Sequence, residues 1–369
     1  MTNETDEYYM GLALALAKKG RGHVAPNPMV GAVIVKDGHI IGQGYHEQYG
    51  QGHAEVNAFR SASEDVTGAT IYVTLEPCSH YGKTPPCADL IIEKKVKRVV
   101  VGALDPNPLV AGRGIQKIAD AGIEVTTGVL ADESRQLNEV FMKFITTKQP
   151  FVVLKTAMSL DGKIATATGE SQWISGEASR KQVHAERGYL TGILVGINTV
   201  LKDNPRLTAR LPNSKNPTRI VVDSSLRIPF DRHILQDQDE APTIIVTTDK
   251  ADPDKIASLT ERGIRVIVVA SYQARVDLQA AMAELGALNI DSILLEGGAE
   301  LNYAALAAGI VDKVQFYIAP KLIGGASAPT PVAGAGIAHL ADALPITNMR
   351  TQMIGEDIFV EGYIKREVV

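Results

Sequence analysis

Cysteine and tryptophan are scarce in this chain, with two of the first and one of the second in 369 residues. So few cysteines exclude a disulfide-stapled scaffold, and a chain of this length can bury its core without staples. No apolar run approaches the roughly 18 residues that a membrane span requires. The opening MTNETDEYYM is acidic where a secretory leader would be basic and then apolar. A cytoplasmic protein with no membrane partner is expected. A basic stripe is also missing: the formal net charge is -5, and short pairs such as Lys94-Lys95 are the most that occurs. Phosphate backbones are held by clustered Lys and Arg, so a nucleic-acid partner is disfavoured and small substrates are expected. No solenoid-like repeat or low-complexity segment is present.

What is present is ordinary globular composition, 45% hydrophobic and 21% charged, in a chain long enough for two domains. Residues 6–19 place Tyr9, Leu12, Ala13, Leu16 and Ala17 at helical intervals, and VGAVIVKDGHIIGQGYH reads as a hairpin turning at Asp37-Gly38. Helices at 53–63, 86–93, 114–121 and 132–146 then alternate with strands at 70–75, 98–101 and 123–126, which predicts an α/β layer sandwich. Near 147–150 a polar helix end meets Pro150 and a new apolar strand, so domains at 1–147 and 148–369 are expected. The second half alternates again, with strands at 151–156, 192–195, 219–223, 243–247, 265–269, 292–295, 313–318 and 358–364.

Both cysteines fall in TLEPCSHYGKTPPCADL, downstream of GQGHAEVNAF. Zinc that activates water takes three protein ligands and keeps one open position, and imidazole and thiolate are its preferred donors. His53, Cys78 and Cys87 supply that set. A proton carrier must stand beside them, and Glu55, two positions after His53 at the start of a helix, points in a different direction from it. Cys78 is expected to open the next helix, where exposed N–H groups would favour its thiolate. Unrelated cysteines and a surface histidine are the alternative. The order of the residues matches the H-x-E…P-C-x-x-C pattern of zinc deaminases, with one departure: eight residues, SHYGKTPP, separate the cysteines.

These stretches, together with APNPMVGAVIVKDG, closely resemble the bifunctional deaminase–reductase family of riboflavin biosynthesis, over nearly the whole chain. The resemblance implies a cytidine-deaminase-like α/β/α sandwich followed by a dihydrofolate-reductase-like α/β domain. It implies one Zn2+ on His53, Cys78 and Cys87, with Glu55 as the proton shuttle. The implied substrate is a 2,5-diamino-6-(5-phosphoribosylamino)pyrimidinone. Asn27 would hold the pyrimidine, and His80, Lys83 and Thr84 would reach the ring and the ribose phosphate; from the residues alone, Asn27 is equally a turn residue between two prolines.

For the second half, hydride reduction of an opened sugar calls for a nicotinamide. The Gly-x-Gly-x-x-Gly fingerprint is missing, but SILLEGGAELNYAAL runs from an apolar strand through Gly297-Gly298 into a helix, which is either an anion cradle or a plain connection. By resemblance, carried by LKTAMSLDGKIA, GESQWIS, VGINTVLKDNPRLTAR and EGGAELN, NADPH would lie along Ala157, Trp173, Thr199, Asp203 and the turn of Glu296, Gly297, Gly298, Ala299, Glu300 and Leu301. Ser171, Arg187, Leu207 and Arg210 would take the substrate, with the arginines on its phosphate and Glu296 near the polyol. Lys155 would meet the pyrimidine or ribose, and Asp203 would stand near the hydride. Packing, turn or surface roles remain open for Trp173, Asp203 and the two arginines. His184, His233 and His339 read as surface or packing residues. A homodimer formed through the second domain is expected. The competing reading keeps the zinc deaminase and makes the second half a non-catalytic nucleotide-binding or dimerising module; a base-editing deaminase is a third.

Overall fold

The computed structural model describes residues 3–79, 81, 85–107, 110–212 and 214–365. The chain forms two compact units, Met1–Lys148 and Gln149–Val369.

In the first unit α1 (Asn3–Ala17) leads into the hairpin β1 (Gly31–Lys36) and β2 (His39–Tyr45), then α2 (Ala54–Arg60), β3 (Thr70–Leu75), α3 (Cys87–Glu93), β4 (Arg98–Ala103), α4 (Arg113–Asp120), β5 (Glu124–Thr127), α5 (Ala131–Leu137) and α6 (Glu139–Thr147). The hairpin turns at Asp37 and Gly38, both left-handed with φ of 49° and 81°, the backbone that matches strand twist in a two-residue turn. The sheet order is β2-β1-β3-β4-β5. The hairpin strands run antiparallel and β3, β4 and β5 run parallel.

Alternation along β3 explains the three layers. Ile71 and Val73 face Ala58 of α2 and Ile91 of α3, whereas Tyr72 faces Met10 and Leu14 of α1. Each such fully buried side chain contributes about 1.5–3 kcal/mol relative to an exposed one. A Cβ on Gly44 would come 2.4 Å from Ala58 N, so glycine lets the α2 backbone lie directly on β2 and fixes where that helix begins. The single helix expected at 132–146 is two helices, because Asn138 leaves helical geometry. Its amide accepts from Met29 N at 2.8 Å and donates to Met29 O at 2.9 Å.

The second unit begins with β6 (Phe151–Ser159) and continues with α7 (Glu177–Tyr189), β7 (Gly192–Gly196), α8 (Ile197–Asp203), β8 (Thr218–Val222), β9 (Thr243–Thr248), α9 (Pro253–Glu261) and β10 (Arg265–Val269). A two-strand ribbon, β11 (Ser271–Tyr272) and β12 (Arg275–Val276), precedes α10 (Leu278–Ala287), β13 (Ser292–Gly297), α11 (Ala299–Ala307), β14 (Lys313–Ala319), β15 (Ile346–Ile354) and β16 (Asp357–Ile364). The main sheet runs β10-β9-β8-β7-β13-β6-β14-β16-β15, parallel as far as β14 and antiparallel thereafter. Its strands β7, β8 and β9 are buried on both faces: Leu194, Ile220 and Val246 enter one core, and Ile193, Val221 and Ile245 the other. Strand β15 was not expected from the sequence. Its residues, ITNMRTQMI, are mostly exposed, so no apolar alternation marks it, and pairing with β16 alone makes it a strand. Among the described residues no helix is long and apolar enough to cross a membrane.

Candidate active sites

In the first unit, His53 caps the N-terminus of α2, Cys78 lies in the loop after β3 and Cys87 is the first residue of α3. Their Nδ1 and Sγ atoms all lie within 4.8 Å of one another. His53 Nδ1 is 3.6 Å from Cys78 Sγ and 3.3 Å from Cys87 Sγ. Tetrahedral zinc, with Zn–S of about 2.3 Å and Zn–N of about 2.0 Å, sets N···S edges of about 3.5 Å. One imidazole and two free thiols at this spacing therefore fit zinc.

Cys78 does not open the next helix, as the sequence suggested; α3 starts at Cys87. The helix start still serves Cys78, because Cys87 N–H donates to its Sγ at 3.3 Å. Hydrogen bonding from the Cys87 thiol, then from His53, outweighs burial and brings the Cys78 thiol down to about 4. The Cys87 thiol, as donor of that pair, is pushed up. Two residues before Cys78, the buried Glu76 carboxylate accepts N–H groups of Gly112 at 3.0 Å and Gly114 at 3.1 Å, at the start of α4. This clamps the loop and positions the sulfur.

Glu55 is 3% exposed. Burial, and then the charge of Cys78, raise its carboxyl above the ordinary range, which suits a group that must hold a proton between two transfers. Asn27 Nδ2 lies 3.2 Å from His46 Nε2, and His46 Nδ1 lies 3.1 Å from Gly52 O. A carbonyl can only accept, so Nδ1 carries the proton and Nε2 accepts from Asn27. Burial lowers the His46 pKa, consistent with a neutral ring. The amide orientation of Asn27 is thereby set, with Oδ1 left for another partner. Sequence reasoning passed over His46, which ends a hairpin with no motif around it. His80, Lys83 and Thr84 lie outside the described residues.

In the second unit the C-terminal ends of β6, β7 and β13 open on a cleft of about 1020 Å³. Strand β6 contributes Lys155 and Ala157, α8 contributes Thr199 and Asp203, and Glu296, Gly298 and Ala299 come from β13 and the start of α11. Ser171, Trp173, Leu207 and Arg210 complete the wall from the intervening loops. Gly297, Glu300 and Leu301 are not in this lining. The Gly297 backbone is left-handed with φ of 28°, Glu300 pairs with Arg275 at 3.7 Å, and Leu301 packs against the hydrophobic core.

Glu296 is gripped from two sides. Arg187 Nε and Nη2 reach its two oxygens at 2.6 and 2.8 Å, and Lys155 Nζ lies at 3.2 Å. Burial opposes the charge on Glu296, yet Arg187 and then Lys155 hold the carboxyl well below its usual range. Arg187 Nη1 donates to Thr208 O at 3.3 Å, so this guanidinium is spent on protein groups and has little left for a phosphate. His184, expected at the surface or in packing, lines the cleft one helical turn before Arg187, and so does His233. The spacing of three between His184 and Arg187 was the signal in the sequence. Partial burial raises the Asp203 carboxyl. The start of α11 suits a dinucleotide, because its N-terminus faces the cleft through Gly298. A Cβ there would find only Thr199 Oγ1, at 3.5 Å, so backbone N–H groups are open to a pyrophosphate.

Two family models match the chain: "Cytidine and deoxycytidylate deaminase zinc-binding region" over residues 3–103, and "RibD C-terminal domain" over residues 150–360. Riboflavin biosynthesis protein RibD of Actinobacillus pleuropneumoniae is 50% identical over 97% of this chain and 95% of its own. The chain belongs to the RibD family. Among solved structures, RibD of Acinetobacter baumannii superposes with a TM-score of 0.88 at 38% identity, covering 99% of this chain and 100% of that one. A Thermotoga maritima protein described as a diaminohydroxyphosphoribosylaminopyrimidine deaminase/5-amino-6-(5-phosphoribosylamino)uracil reductase gives 0.83 at 38%, covering 98% of this chain and 99% of that one. As a RibD protein the chain is a bifunctional enzyme of riboflavin biosynthesis, a zinc deaminase and an NADPH-dependent reductase. The second unit is thus a RibD reductase domain and not a module without chemistry.

Proposed function

We propose that this RibD enzyme removes the 2-amino group of 2,5-diamino-6-(5-phosphoribosylamino)pyrimidin-4(3H)-one in its first domain, residues 1–147, and reduces the ribose of the product in its second, residues 148–369. The observation that carries this reading is the His53, Cys78 and Cys87 cluster beside the buried Glu55. Zinc held by those three residues supplies a Lewis acid that makes water a nucleophile near neutral pH. Glu55 takes the proton that water gives up and delivers it to the departing nitrogen, so the C–NH2 bond breaks, C=O forms and ammonia leaves. Asn27, oriented by His46, holds the pyrimidine through Oδ1, while His80, Lys83 and Thr84 complete the ring and phosphate contacts.

In the second domain a bound NADPH would supply the hydride that reduces the opened sugar at C1′. Ala157, Trp173, Thr199, Asp203 and the turn at Gly298 and Ala299 hold the cofactor, with Gly297, Glu300 and Leu301 shaping that turn from behind the lining. Lys155, fixed by Glu296, meets the ribose and assists proton delivery, with Asp203 close to the transfer. Ser171, Leu207 and Arg210 take the substrate directly. Arg187 acts through Glu296, which is the role its bonding supports.

The reading includes a homodimer through the second domain, supported by the exposed Met349 and Met353 on the edge strand β15. A cytoplasmic location is supported by two cysteines that remain free thiols. Metal analysis combined with NADPH-oxidation assays on the diamino and the deaminated compounds tests the proposal. One zinc per chain and reduction of the deaminated compound alone by residues 148–369 support it; reduction of both compounds contradicts the order of steps.

A further inference from the structure

Arg180 stands near the start of α7 and lines the reductase cleft beside Trp173. Its guanidinium carbon lies 4.8 Å from the centre of the Trp173 ring, and its Nη1 donates to Ser175 O at 2.6 Å. The backbone around it is fastened too. Lys321 Nζ donates to Trp173 O at 2.9 Å, and Gly176 N–H donates to Oδ2 of the buried Asp357 at 2.7 Å. The indole held by these anchors is nevertheless 62% exposed. One face carries the guanidinium, and among the described residues no second ring packs on the other. Nor, among those residues, does Arg180 meet a carboxylate within ion-pair distance. A guanidinium stays protonated at every working pH.

An anchored indole in the wall of a cleft is a stacking surface, and Arg180 gives this one a sign. Cations are drawn to an indole face by the negative quadrupole of the ring, and Arg180 takes that attraction on the rear face. A second cation stacked in front would stand about 9 Å from the guanidinium, at the usual centroid spacing of about 4.5 Å. Repulsion at that separation weakens binding by about twofold in a water-like dielectric and by about twentyfold in that of a protein surface. A neutral ring escapes it. The two states of nicotinamide differ in this respect: hydride leaves the neutral dihydropyridine ring with its electron pair, and the ring that remains is a pyridinium cation.

We propose that Arg180 is a positioning residue acting through Trp173: it charges the rear of the indole, so that the open face receives the neutral ring of NADPH and gives up the cationic ring of NADP+. The assignment rests on the reading that places the cofactor along Trp173.

Trp173 is the single tryptophan of the chain, so its emission reports on this surface alone. Quenching of that emission by NADPH and by NADP+, titrated separately into the full chain, gives the two dissociation constants and their ratio in favour of NADPH. Arg180→Met, which keeps an apolar stem and removes the charge, should shrink that ratio by about two- to twentyfold. Arg180→Lys keeps the charge and should hold the ratio near wild type even where both affinities fall. Added salt, which needs no variant, should narrow the wild-type ratio, because the Debye length shrinks from about 10 Å at 0.1 M to about 3 Å at 1 M. A wild-type ratio in Arg180→Met, a collapsed ratio in Arg180→Lys or a ratio indifferent to salt overturns the proposal while leaving the cofactor on Trp173. Emission that neither nucleotide changes, in protein that still oxidises NADPH, removes the cofactor from Trp173 and overturns both.

Discussion

Arg187 holds Glu296 by two parallel hydrogen bonds, Nε to Oε1 at 2.6 Å and Nη2 to Oε2 at 2.8 Å. The pair spans from α7 to the end of β13, and Lys155 on β6 joins it at 3.2 Å. Two cations on one buried carboxylate keep it ionised, and the carboxylate in turn fixes where Lys155 faces the cleft.

The acid limb of reductase-domain stability should report this. Because the folded-state Glu296 carboxyl lies below its ordinary value of 4.5, its contribution is complete above about that pH and is lost as pH falls further. Glu296→Gln should flatten this limb. It should also lower stability at neutral pH by about 3–5 kcal/mol, since two buried cations lose their partner. Thermal unfolding measured from neutral to acid pH checks both; an unchanged acid limb would count against the pairing.

Glu55→Gln should keep about one zinc per chain and reduce deamination by roughly 10²–10⁴-fold, the usual yield of general acid–base catalysis. NADPH-dependent reduction should be unaffected. Metal analysis beside the two assays decides it, and loss of zinc would make Glu55 a ligand.

Gly297→Ala should disturb the turn before α11. The added Cβ would fall 1.8 Å from Asn302 Oδ1, and Asn302 is held in place because its Nδ2 donates to Pro331 O at 2.8 Å. Overpacking of this kind costs about 1–3 kcal/mol. The KM for NADPH should rise by about tenfold or more, equivalent to about 1.4 kcal/mol of binding, and steady-state kinetics with varied cofactor read it directly.

Asn138→Ala should destabilise the deaminase domain by about 1–3 kcal/mol, because Met29 N and O lose a buried partner. Met29 lies two positions after Asn27, so the KM for the diamino compound should rise while zinc content stays the same. Chemical denaturation and initial rates measure the two effects; unchanged values for both would show that Asn138 is replaceable.

The strand and helix alternation, the hairpin at Asp37-Gly38 and the residues of the His53, Cys78 and Cys87 cluster were legible in the sequence. Each is encoded locally, by apolar period, by turn residues or by residue types that have few other uses in such a pattern. The bonding of Arg187 and His46 was not legible in that way. A guanidinium reads alike whether it meets a ligand's phosphate or a carboxylate 109 positions away, and only the packing of β13, β6 and α7 settles which. The break at Asn138 and the strand β15 depend likewise on distant partners, Met29 and β16. The sequence determined which chemical groups were present and how far apart along the chain they stood. Tertiary structure decided which of them meet, because desolvation and charge pairing act through space between residues that sequence spacing does not relate.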